Sequence, residues 1–187
     1  MIESRKDSAV KEHAEHSAMP GKRVLFFAEA ATLAHVARPM VLAHVLEDAG
    51  YDVHFACHPR YRELFRALNG PWRSIHSISS QAFLEALASG RPLYDSETLE
   101  AYVKEDLQVI REISPDLVIG DFRLSLSVSA RLAGIPYMTI TNAYWSPYAR
   151  PHYRVPELPI TRLLGAGLAE PLFRLARPWL LRGMHCR

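Results

Sequence analysis

Along this chain the spacing of apolar residues switches repeatedly between the period of a strand and that of a helix. Val24, Leu25, Phe26 and Phe27 form a run of β-branched, aliphatic and aromatic residues, short enough to be one buried strand. From Val36 the period becomes helical. Val36, Met40, Ala43 and then Leu46 or Ala49 fall three or four apart, and Gly50 stands where a C-terminal glycine cap is expected. A small-residue turn, AEAATLAH, joins the two and ends in His35. Strand, turn and helix make half of a βαβ unit, whose turn opens at the carboxyl edge of the sheet. That edge is where ligands bind in open α/β sheets.

The alternation continues. Asp52 to Cys57 predicts a second strand, Pro59 to Asn69 a helix, and Trp72 to Ile78 a short third strand. Gln81 to Ser89 and Ser96 to Ile113 read as helices, the second carrying Leu99, Tyr102 or Val103, Leu107 and Ile110 on one stripe. Asp116 to Gly120 is a nearly continuous apolar strand of the kind buried on both faces, and Asp121 follows at its carboxyl end. Ser125 to Gly134 reads as a helix and Ile135 to Ile140 as a last buried strand. The expected fold is α/β, a doubly wound, Rossmann-like parallel sheet with right-handed crossovers.

Outside residues 22–141 the pattern fades. Residues 1–21 carry Glu3, Arg5, Lys6, Asp7, Lys11, Glu12 and Glu15 without an apolar core, so they read as a disordered lead-in rather than a signal peptide. From Thr141 a segment of aromatics and prolines has no regular period and reads as an ordered loop at the ligand edge or a linker. Ile160 to Arg182 is leucine-rich and helical by pattern, with interruptions expected at Pro171 and Pro178. The expected organisation is a lead-in over 1–21, a domain over 22–160, and a truncated helical segment over 161–187.

Composition narrows the class. The 187 residues suffice for one α/β domain with a real core. A formal charge of +2 gives no reason to expect nucleic acid as a partner. Nine histidines are scattered without zinc-site spacing, so no metal is expected. Cys57 and Cys186 are no disulfide framework, which points to a reducing, cytoplasmic setting. No stretch approaches the roughly 20 apolar residues of a membrane span.

The first turn contains no glycine, so it cannot let a pyrophosphate approach the backbone as a dinucleotide fingerprint does, and no Walker lysine follows. His35 and Asp121 remain as chemical candidates, both brought by the fold to the carboxyl edge. A histidine oriented by a carboxylate can deprotonate a hydroxyl near neutral pH. The same two residues could equally cap their helices. His58 could face the site or start a helix, His54 and His76 read as structural, and Arg123 could contact an anionic group but reads more readily as a surface arginine.

Two longer strings carry a resemblance: TLAHVARPMVLAHVLEDAGYDVHFA and PDLVIGDFRLSLSVSARLAGIPYMTITNAYW. Together they resemble the N-terminal half of a GT-B glycosyltransferase, in the branch of UDP-glycosyltransferases and macrolide glycosyltransferases, over roughly residues 22–182. In that family the first turn carries a histidine, an apolar residue and, shortly after, a proline, matched here by His35-Val36-Ala37-Arg38-Pro39. The resemblance implies that His35 is the base on the acceptor hydroxyl and that Asp121 in VIGDF is its partner. Ala34 departs from the glycine usual before the histidine. The implied reaction is an inverting, metal-independent transfer from a nucleotide-sugar, a UDP- or TDP-sugar, as co-substrate rather than cofactor. In GT-B enzymes the donor is held mainly by a C-terminal domain, so these residues are expected to form the acceptor half, inactive alone. Thr32, Phe122, Asn142, Tyr144, Trp145 and Tyr148 are the candidate acceptor-binding residues, aromatic walls with a few polar groups suiting a partly apolar acceptor.

Other readings compete. PDLVIGDFRLS resembles the phosphoacceptor strand of receiver domains, with Asp121 phosphorylated, but only Glu29 follows the first strand where an acidic pair is needed, and no lysine follows the last. A non-catalytic ligand-binding or regulatory protein derived from a transferase half keeps the fold. Arg162, Arg174, Arg177 and Arg182, interleaved with leucines and Trp179, could touch a membrane peripherally or support self-association.

Overall fold

The computed structural model describes residues 21–143, 161, 165 and 167–176. In β1 (Arg23–Ala28), Val24, Phe26 and Ala28 pack into one apolar cluster, while Leu25 and Phe27 pack into another. This period-two split, apolar on both sides, is what a central parallel strand requires. β2 (Asp52–Cys57) splits the same way, Val53, Phe55 and Cys57 against Ala56. Five strands, completed by β3 (Trp72–Ser74), β4 (Leu117–Asp121) and β5 (Tyr137–Ile140), form one sheet in the order β3-β2-β1-β4-β5, every adjacent pair parallel. The doubly wound Rossmann-like expectation is borne out.

Helices cover both faces. On one, α1 (Ala34–Asp48) buries Val36, Pro39 and Ala43. On the other, α3 (Ser96–Ile113) brings Val109, Ile110 and Ile113, and α4 (Leu126–Ala133) brings Leu126. α2 (Ser80–Ser89) precedes them and buries Phe83 and Ala86. Phe26, Phe27 and Phe55 are all fully buried, each contributing roughly 1.5–3 kcal/mol. Gly120 in β4 permits the close approach of α4: a Cβ there would lie 2.5 Å from Leu126 Cδ1.

Three details differ from the sequence pattern. The third strand ends at Ser74 rather than Ile78, because the next amides turn to side chains: His76 N–H donates to Glu105 and Ile78 N–H to Glu29. Pro59–Ala67 is a 3-10 helix with a kink at Tyr61, capped by His58, whose Nδ1 accepts from Arg60 N–H. Residues 167–176 are helical straight through Pro171, so the interruption expected there does not occur; one lost backbone bond is tolerated. Leu168, Leu172 and Leu175 in this stretch are exposed.

The chain divides into two compact units, the first ending at Thr141 and the second beginning at Asn142. Among the described residues no helix is long and apolar enough to cross a membrane.

Candidate active site

The chain leaves β1 for β2 on one side of the sheet and returns through β4 on the other, so the carboxyl ends of β1 and β4 flank a topological switch point. Crevices at such points are where α/β folds bind ligands. Register places Asp121, the last residue of β4, opposite Ala28, the last of β1. The backbone N–H of Glu29 donates to the Asp121 carbonyl at 3.0 Å and holds the two loops together as they diverge.

His35 lies in the first turn of α1. That turn lacks a side-chain cap; instead His35 N–H donates to the Thr32 carbonyl at 3.2 Å and Val36 N–H to that of Leu33 at 3.1 Å. The buried small residues Ala30 and Ala31 let the loop fold back onto the sheet edge. His35 Nδ1 then lies 2.9 Å from Asp121 Oδ1. The Asp121 side chain is wholly buried, and that of His35 is 12% exposed. A proton on Nδ1 makes this a charge-assisted bond and leaves Nε2 with a free lone pair, the arrangement of an oriented general base.

Phe122, the next residue, holds a left-handed backbone (φ 58°), costly for any side chain but glycine. Its ring stacks on His35 with centroids 4.5 Å apart and planes 13° from parallel, and Phe83 of α2 meets it edge-on at 5.7 Å. Arg38, one turn beyond His35, was named in the sequence only as part of a motif. Its Nη2 lies 2.7 Å from Asp121 Oδ1 and 3.0 Å from His35 Nδ1.

Arg123 is no surface arginine. It is 1% exposed and sits at the centre of a buried polar network. Nε bonds Asp106 of α3 at 3.0 Å, Nη1 bonds Glu29 at 3.1 Å and the His76 carbonyl at 2.5 Å, and Nη2 bonds Glu105 at 2.9 Å. Its guanidinium lies 3.7 Å from the centre of the Tyr102 ring. Ser125 and Ser129 donate to the second oxygen of Asp106. Burial pushes the Glu29 and Asp106 carboxyls above their usual range, and the charge of Arg123 opposes that push. The available signal was Asp106, a carboxylate on the stripe between Tyr102 and Ile110.

Of the other candidates, Thr32 and Phe122 are half-buried beside His35 in sequence or contact. Asn142 is half-buried and belongs to the second unit. Tyr144, Trp145 and Tyr148 lie outside the described residues. His58 caps the 3-10 helix, and His54 pairs with Asp52 at 3.1 Å within the sheet. His76 is exposed and bonded to Glu105. A cavity of about 360 Å³, lined by His76, Glu97, Thr98, Ala101, Tyr102 and Glu105, includes neither His35 nor Asp121. Among the described residues no group of three or more His, Cys, Asp or Glu is placed to hold a metal ion.

No family model matches the chain. Curated relatives do. A PGL/p-HBAD biosynthesis rhamnosyltransferase of Mycobacterium bovis BCG is 53% identical over 165 residues, 88% of this chain and 36% of that protein. An inactive PGL/p-HBAD biosynthesis glycosyltransferase of the same strain is 50% identical over the same share of this chain and 45% of its own length. Among solved structures, MurG of Acinetobacter baumannii matches with a TM-score of 0.48 at 22% identity, over 63% of this chain and 34% of that one. The chain is similar to these mycobacterial glycosyltransferases, as its likeness to glycosyltransferases led one to expect, and it spans between about a third and just under half of their length.

Proposed function

We propose that the protein to which these residues belong is a glycosyltransferase, and that this chain supplies its acceptor side and its base. The observation that carries the reading is the 2.9 Å contact between His35 Nδ1 and the wholly buried Asp121 at the sheet's switch point. His35 Nε2 takes the proton of an acceptor hydroxyl. The acceptor oxygen forms a bond to the anomeric carbon from the face opposite the leaving group, and the bond from that carbon to the phosphate oxygen breaks with its electron pair. A nucleoside diphosphate leaves and the anomeric configuration inverts. Asp121 stabilises the imidazolium formed in the step. Charge on the leaving group would be managed outside the described residues, and the scheme routes no step through a metal.

The donor in this reading is a UDP- or TDP-sugar, with a rhamnosyl group favoured because a 53% identical relative carries that name. The acceptor is a hydroxyl on an intermediate of the PGL/p-HBAD type, seated against Thr32 and Phe122.

A second reading keeps the fold and drops the chemistry, and one observation favours it: a relative 50% identical is named inactive. The full-length protein, offered UDP- and TDP-sugars with phenolic and glycolipid alcohols, separates the two. Transfer that falls by roughly two to four orders of magnitude in His35→Ala supports the base. Transfer indifferent to that change places the base elsewhere. Ligand binding with no transfer by the unaltered protein supports the non-catalytic reading.

A further inference from the structure

We propose that Arg38 is a positioning residue for the His35–Asp121 pair: it fixes the carboxylate's orientation and limits how strongly that carboxylate holds a proton on the imidazole. The inference rests on the base reading above for its catalytic meaning, but its geometry stands by itself. Arg38 Nη2 and His35 Nδ1 converge on one oxygen, Asp121 Oδ1, at 2.7 and 2.9 Å. The other oxygen, Oδ2, is buried with no hydrogen-bond partner among the described residues. A carboxylate held by His35 alone, through one oxygen, can turn about its χ2 bond unless a second donor fixes that oxygen. The guanidinium does so, because it is planar and permanently charged and is carried on the same helix as His35, three residues on.

The same contact opposes the imidazolium. A guanidinium only donates, so once both ring nitrogens bear protons the 3.0 Å approach of Arg38 to Nδ1 sets two positive groups side by side. Arg38 also draws on the oxygen that would otherwise serve His35 alone. Among the described residues, two elements bring charged groups within bonding distance of His35. α1 brings Arg38, and β4 brings Asp121. The turn after β4 brings the uncharged Phe122 ring, backed by Phe83 of α2. Glu85, the charged residue of α2, is bonded to Gln81. Glu29, in the loop after β1, is held by Arg123. Removing Arg38 therefore leaves Asp121 to act on His35 undiluted, and leaves its carboxylate free to turn.

The test follows the ring nitrogens of His35 by ¹⁵N NMR in this chain, from about pH 5 to 9, with His35→Gln to assign the signals. In Arg38→Met the ring should take its proton at a higher pH than in the unaltered chain, because a neighbouring positive charge is gone. Arg38→Lys should restore most of the original value, since it returns the charge. Should Arg38→Met fail to fold, Arg38→Gln removes the charge while keeping a donor and reads the same shift. In the full-length enzyme, kcat should fall with KM little changed, and the acid limb of the pH–rate profile should move up with the ring. Ring signals that titrate identically with and without Arg38 overturn the proposal. A shifted ring with an unshifted rate profile keeps Arg38's effect and instead refutes His35 as the base.

Discussion

The ring of Phe122 lies flat on that of His35, 4.5 Å between centroids, and it reaches that position only through a left-handed backbone at the residue after Asp121. Strain at one residue thus orients the ring that steadies the histidine of α1. Such strain persists where the surroundings over-determine it. Here Phe83, the Glu29–Asp121 backbone bond and the anchored Arg123 do so.

Two substitutions separate the strain from the stacking. Phe122→Ala removes the ring and keeps the strain; Phe122→Gly removes both. The glycine variant should be more stable than the alanine variant by about 1 kcal/mol in denaturant midpoints. Both should lose transfer activity to a similar degree. Equal stability of the two would mean that the left-handed turn relaxes.

Asp121→Asn keeps the shape of the carboxylate and removes its charge. The imidazolium then loses its counter-charge, and Arg38 loses its ion pair, so transfer by the full-length protein should fall by roughly two to four orders of magnitude. A variant that transfers normally would detach Asp121 from the chemistry.

Arg123→Met leaves Glu29 and Asp106 buried without their cation, and should cost about 3–5 kcal/mol at neutral pH. The pH dependence has a definite sign. Both carboxyls are raised by burial, so the folded chain binds protons more readily than the unfolded one, and stability falls as pH rises through the raised values. Without Arg123 that fall is steeper and extends to higher pH. The variant's deficit should therefore shrink between neutral pH and about pH 5, as urea denaturation at the two values will show. A deficit that grows on acidification would contradict this account of the network.

Cys57 is fully buried, and burial pushes its thiol up to about 12. In a Cys186→Ser chain a thiol reagent at pH 8 should label Cys57 only as fast as the sheet opens, and at once in denaturant. Rapid labelling of the folded chain would show β2 to be exposed.

The sheet was readable because parallel strands buried on both faces leave short continuous apolar runs, and Val24–Phe27 and Leu117–Gly120 are such runs. Asp121 was readable because it follows such a run directly, and His35 because it ends the small-residue turn after one. Arg123 was not. Two residues past a strand, an arginine looks the same in sequence whether it points to water or into a nest of carboxylates, and its partners are spread over the loop after β1, the loop after β3, and α3. Asp106 betrays the nest, being a charge on a buried stripe. The third strand was overestimated for a related reason: Trp72 to Ile78 alternates well, but the carboxylates of Glu29 and Glu105 claim amides beyond Ser74. Arg38 went unassigned because an arginine at that position of a helix is ordinary, and only the fold brings its guanidinium onto Asp121.

The register of β1 has a consequence for how the chain comes to be folded. Its neighbour β2 follows within about thirty residues, but its other neighbour, β4, is synthesised far later, Val24 lying beside Leu117. His35 and Asp121 are 86 positions apart, and Glu29 and Arg123 are 94. A ribosome must therefore deliver more than half of the chain before the central strand acquires its second partner. Until then an apolar strand edge stays open, a period in which a chaperone or a misplaced strand can compete. The same late arrival of β4 closes the sheet and brings the carboxylate to the histidine, so a chain stalled before Asp121 holds neither a finished core nor the His35–Asp121 contact.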